Sequence, residues 1–186
     1  MITKPTATLV FGQMPLTIEQ INALAQQRLN AELQSDAAYL DKIAQGARFL
    51  DTLLDKEGVI YGVTTGYGDS CVVSVPLAQV EQLPKQLYTY HGCGMGALLK
   101  PEEVRAVLAA RLQSLCFGMS GVRAEFLQRL TELLQHDILP IIPEEGSVGA
   151  SGDLTPLSYV AATLSGEREV LYQGKVCTSA EVHQQL

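Results

Sequence analysis

The sequence predicts a mainly α-helical fold with a short strand near the N-terminus and a small hairpin near the C-terminus. Two stretches carry this reading. Across 36–58, Leu40, Ile43, Ala47, Leu50 and Leu54 fall on one helical stripe, with Asp36 to cap the first turn and Gly58 to stop the last. Across 120–134, Phe126, Leu127, Leu130, Leu133 and Leu134 repeat the pattern, with Ser120 as the expected cap. Only two short segments read as extended.

In chain order, TATLVFG closed by a Gly12-Gln13 turn is a strand or extended arm. Thr17 and Gln20 make a capping box for a helix over about 18–30, and Asp36 starts a longer one to about 56. Residues 61–75 form a glycine-rich loop. A helix follows over 77–91, and Pro101 opens another to about 117, with Cys116 as a core thiol. After the 120–134 helix, ILPIIPEEG breaks the pattern, a second glycine loop follows, and a helix runs from Pro156 to about Leu164. EVLYQGKVC is a hairpin turning at Gln173-Gly174. No internal repeat or linker interrupts the chain, so a single domain is expected.

The 186 residues are 47% apolar and 18% charged, enough for one substantial core. A net charge of −7 with no basic run argues against nucleic acid or an anionic membrane surface as a partner. No segment offers the ~20 apolar residues of a membrane span. MITKPTATLVFG lacks the continuous apolar core of a secretory signal, so a cytoplasmic protein is expected. Cys71, Cys93, Cys116 and Cys177 contain no C-x-x-C pair, and the three histidines have no ligand spacing. Reduced thiols, and no metal site, are therefore expected.

Chemistry concentrates in PEEGSVGASGDLTPLSYVA, residues 143–161. GSVGASGD lacks the lysine of a phosphate-binding loop. Gly149-Ala150-Ser151-Gly152 lacks the closing glycine of a nucleophile elbow. HGCGMG at 91–96 trails a helix, which is wrong for a dinucleotide fingerprint. Read locally, the segment is a connector whose Ser151 or Asp153 caps the next helix. The tripeptide Ala150-Ser151-Gly152 supports a second reading, because Ala-Ser-Gly can build an electrophile from its own backbone. The Gly152 nitrogen attacks the Ala150 carbonyl carbon, and loss of two waters closes the ring and leaves Ser151 as an exocyclic methylene. The missing Cβ of Gly152 permits that approach.

GSVGASGDLTPLSYVA resembles the prosthetic-group segment of the histidine/phenylalanine/tyrosine ammonia-lyases, which carry a methylidene-imidazolone. YGVTTGYG at 61–68 resembles the family's tyrosine-bearing loop, GMSGVR at 118–123 another characteristic turn, and residues 86–99 the helix that carries substrate selectivity. The resemblance implies the N-terminal helical domain of an aromatic amino acid ammonia-lyase, over residues 1–186, with the central helical bundle and C-terminal part absent.

It further implies elimination of ammonia from an aromatic L-amino acid, with no external cofactor. The electrophile is the methylidene-imidazolone formed from Ala150, Ser151 and Gly152, and Tyr61 is the base. A phenol, with an ordinary pKa of about 10, needs an environment that favours its anion for that task. Gly66 and Gly68 are expected to let the loop open and close over substrate. Tyr90 and His91, with Gly68, are the implied substrate contacts. His91 stands where histidine lyases carry histidine, whereas tyrosine lyases place theirs one residue earlier, at Tyr90 here. Val63-Thr64-Thr65 is the variant commoner among tyrosine and phenylalanine lyases. L-Histidine is the first expectation. L-Tyrosine or L-phenylalanine, an aminomutase, and a non-catalytic fragment that only binds a partner are the alternatives. A homo-oligomer or a complementary lyase chain is the expected partner.

Overall fold

The computed structural model describes residues 7–80, 82–146 and 154–186. The first two elements are strand β1 (Thr8–Phe11) and helix α1 (Ile18–Ala25). The capping box is formed: the Gln20 N–H donates to Thr17 Oγ1 at 3.2 Å, and the Thr17 N–H donates to Gln20 Oε1 at 2.9 Å. Helix α1 ends well short of residue 30, because Gln27 turns the chain with φ 57 and the following residues are taken by strand β2 (Asn30–Leu33). β1 and β2 pair in parallel, Thr8 opposite Asn30 and Phe11 opposite Leu33, with α1 as the crossover that parallel pairing requires.

Helix α2 (Ala37–Glu57) matches its expected limits. Asp36 Oδ1 accepts from the Ala38 and Tyr39 N–H groups, and Gly58 closes the helix at φ 65. Its stripe is only partly covered: Ile43 is buried, while Leu40, Ala47, Leu50 and Leu54 are half-buried.

The single helix expected over 77–91 is two, α3 (Leu77–Val80) and α4 (Leu83–His91). Pro84, in the first turn of α4, has no N–H to return to the carbonyl of Val80, so the ladder cannot run through. Strand β3 (Met95–Leu98) and helix α5 (Pro101–Leu115) follow, with Cys116 buried at the helix end. Ser120 does not cap the next helix. Gly118 and Gly121, at φ 76 and 63, keep the chain out of helical geometry, so α6 (Ala124–Gln135) begins after Arg123 with no side-chain cap. Leu127, Leu130 and Leu133 are buried as expected, whereas Phe126 is 39% exposed.

Strands β4 (Leu139–Pro140) and β5 (Pro143–Glu145) precede helix α7 (Leu154–Leu164). Strands β6 (Glu169–Tyr172) and β7 (Lys175–Thr178) form the hairpin, turning at Gln173 and Gly174 with φ 51 and 74. Helix α8 (Ser179–Gln185) ends the chain. β4, β6 and β7 make a three-stranded sheet, and β3 pairs antiparallel with β5.

The core lies between α5, α6 and these sheets. Leu108, Leu112, Leu127, Ile142 and Val170 are fully buried, each side chain contributing about 1.5–3 kcal/mol. Among the described residues, no helix is long and apolar enough to cross a membrane.

Candidate functional site

The 61–75 loop folds back on itself through its threonines. Thr64 and Thr65 are buried, and their hydroxyls accept the Ile60 N–H at 2.7 Å and the Gly62 N–H at 3.1 Å. The Val75 N–H donates to the Thr64 carbonyl at 2.7 Å, and the Gly66 N–H donates to that of Val73 at 3.2 Å. At Gly66 the backbone approaches closely, since a Cβ there would stand 2.7 Å from the Ser70 carbonyl oxygen. Gly68, at φ 56, has open space beside it.

This closed loop sets four candidate residues in one row. The Gly68 N–H donates to Tyr61 Oη at 3.1 Å. The Tyr61 and Tyr67 rings meet edge to face, with centroids 6.0 Å apart. Tyr67 meets His91, at the end of α4, in the same way at 6.5 Å, and His91 meets Tyr90 at 5.3 Å. Tyr67 Oη donates to the Gly62 carbonyl at 2.9 Å. Burial, with Tyr61 alongside, raises the Tyr67 pKa and keeps it a donor.

Tyr67 is a residue that the sequence marks only as the second aromatic in YGVTTGYG.

The row divides at α4. His91 is half-buried and lines a cavity of about 550 Å³ with Tyr67 of the 61–75 loop and with Leu87, Leu130, Leu157 and Ser158 of α4, α6 and α7. Its size and largely apolar wall suit a small-molecule ligand. Tyr90 is outside that lining and 78% exposed, and Tyr61 is 63% exposed. Ala150, Ser151, Gly152 and Asp153 lie outside the described residues.

The flanks of that segment are described, and they converge. A Cβ on Gly146 would lie 2.8 Å from Thr155 Cβ, so the segment's two ends touch. β5, just before it, is held by β3, and the Leu99 N–H donates to the Ile142 carbonyl at 2.8 Å. Among the described residues no cluster of three or more His, Cys, Asp or Glu side chains is arranged to hold a metal.

Comparison with known proteins matches this architecture. The chain is 37% identical to a histidine ammonia-lyase of Alkaliphilus oremlandii, over 89% of this chain and 32% of the relative. It is 39% identical to a MIO-dependent tyrosine 2,3-aminomutase of Streptomyces globisporus, over 90% of this chain and 31% of that one. The solved tyrosine aminomutase of Streptomyces globisporus superposes with a TM-score of 0.86 at 35% identity, covering 96% of this chain and 33% of its own. The chain thus spans about a third of the length of the relatives it matches. A family model described as aromatic amino acid lyase matches residues 16–186, and the chain belongs to that family.

Proposed function

We propose that this chain forms the electrophile-bearing part of an ammonia-lyase that acts on L-histidine, releasing ammonia and urocanate. The observation that carries the substrate choice is the split at α4: His91 lines the cavity beside Tyr67, whereas its neighbour Tyr90 faces solvent. A half-buried imidazole at the cavity wall favours a ring that can return a hydrogen bond and disfavours a bare phenyl, which leaves it unpartnered.

Ala150, Ser151 and Gly152 would form the methylidene-imidazolone, and contact between Gly146 and Thr155 supports this by tying the ends of the loop that must bend. When formed, that ring supplies the electrophile that no ordinary side chain provides, making the amine a competent leaving group. Tyr61 is the proposed base for the β-hydrogen. The Gly68 N–H, donating to its oxygen, fixes where that oxygen points. Tyr67, held protonated by burial, orients both Tyr61 and His91 by ring contact. The complete activity would be expressed in an oligomer or with a complementary lyase chain.

A second reading, tyrosine as substrate for a lyase or aminomutase, draws support from Val63-Thr64-Thr65 and from the likeness to the tyrosine aminomutase. The test compares ammonia release from L-histidine, L-tyrosine and L-phenylalanine by the lyase assembly and its His91→Leu variant. Histidine turnover should fall most. Equal losses on all three would remove His91 from ring recognition. Intact mass supplies the second arm: a deficit of two waters, abolished by Ser151→Ala, is expected if the ring forms.

A further inference from the structure

His91 is the last residue of α4, and the chain then turns through Gly92-Cys93-Gly94 into β3. That turn is gripped from two directions. From β5, Pro143 and Glu145 close on Gly94, where a Cβ would stand 3.0 Å from Pro143 Cβ and 3.2 Å from the Glu145 carbonyl oxygen. From α7 and the turn after it, Tyr159 and Arg168 reach across. The Gly94 N–H donates to Tyr159 Oη at 3.1 Å, and Arg168 Nη2 donates to the Gly92 carbonyl at 2.8 Å. The guanidinium carbon sits 4.4 Å from the centre of the nearly buried Tyr159 ring. Gly92 has no room for a side chain, because its Cβ would meet that guanidinium. β5 and α7 are the elements on either side of residues 147–153, so contacts onto the backbone just after α4 tie it to both flanks of that segment.

The backbone of Arg168 points the same way. Its φ is 67, a conformation that glycine adopts freely and other residues rarely do. The Ser179 N–H holds its carbonyl at 2.9 Å, and the Ser179 hydroxyl donates to the Glu167 carbonyl at 2.8 Å. Glycine would suit this backbone better, so it is the side chain that gives arginine a reason to be here.

We propose that Arg168 is a positioning residue: with Tyr159 it fixes His91 against the flanks of residues 147–153 and so sets which ring a substrate can present. The specificity half rests on the reading of His91 given above; the positioning half does not.

The test compares this chain with Arg168→Gly and Arg168→Lys. Glycine relieves the backbone while removing the guanidinium, and far-ultraviolet circular dichroism confirms the fold. With 13C-labelled histidine, three imidazole resonances report on His91, His136 and His183. In Arg168→Gly, hydrogen exchange at the Gly94 amide should rise about tenfold, and the His91 resonance should move while that of His136 stays. Lysine, which keeps a donor and a cation for the Tyr159 face, should restore part of both. In the lyase assembly, Arg168→Gly should bring kcat/KM for histidine and phenylalanine closer together. Unchanged Gly94 exchange and His91 resonance in the folded glycine variant would overturn the proposal. A displaced His91 with an unchanged substrate ratio overturns its specificity half. A displaced His91 in a chain whose wild-type assembly releases no ammonia supports the positioning while refuting the proposed reaction.

Discussion

Asp137 offers the sharpest stability test, because charge and backbone can be separated there. Its carboxylate accepts from Arg105 Nε at 2.7 Å, Arg105 Nη2 at 3.0 Å and Gln27 Nε2 at 3.1 Å. Arg105 also donates to the Ala25 carbonyl at 3.1 Å, so the pair ties the end of α1 to α5 and to the turn that leads into β4. The Arg105 side chain is 12% exposed and that of Asp137 38%. Breaking a buried pair costs about 3–5 kcal/mol; solvent at Asp137 reduces this to about 2–3 kcal/mol for Asp137→Ala. About 1 kcal/mol of that is backbone, since φ at this position is 55. Asn keeps the shape and tolerates that φ, so Asp137→Asn should cost about 1–2 kcal/mol. In a chain of this size the alanine variant should melt about 5–10 °C lower. Urea unfolding followed by circular dichroism measures both variants. An alanine variant within 0.5 kcal/mol of wild type on the scale of surface changes, or equal costs for Asn and Ala, would refute the reasoning.

Three further outcomes follow. Gly146→Ala places a Cβ 2.8 Å from Thr155 Cβ and should force the loop ends apart, so the two-water mass deficit should be lost or reduced; a full deficit would show that the contact is not needed. Gly66→Ala meets the Ser70 backbone, which cannot swing aside, and should destabilise the 61–75 loop by about 1–3 kcal/mol, read as faster exchange at the Val75 amide. Burial raises the pKa of both Tyr39 and Tyr67, so each holds its proton more tightly folded than unfolded. Their contribution to stability is whole below the ordinary tyrosine value of about 10 and is lost as pH rises beyond it. The urea midpoint should therefore drop in that alkaline range, and by less in Tyr39→Phe; an unchanged drop in that variant would exclude Tyr39 as a cause.

Local chemistry made much of the molecule legible in advance. The Thr17–Gln20 box, the Asp36-to-Gly58 helix and the Gln173-Gly174 turn all form, because each depends on groups within a few residues. The family, too, was written in its motifs, and residues 16–186 match it. Elements that depend on distant partners were not legible. Asn30–Leu33 is a strand only because β1 lies beside it, and four residues are too few to announce that against a neighbouring helix signal. β3 and β5 hold each other across forty-odd residues of chain, with Gly94 packed against Pro143. Helical period could not show that Pro84 divides 77–91, nor that Gly121 delays α6, since neither changes the apolar stripe. Sequence alone nominated the candidate residues: Tyr61, Gly68, Tyr90 and His91, with Ala150-Ser151-Gly152. Which of them meet was decided by tertiary structure, because Tyr67 bridges Tyr61 to His91, and the packing of α4 on α7 turns His91 to the cavity and leaves Tyr90 in water.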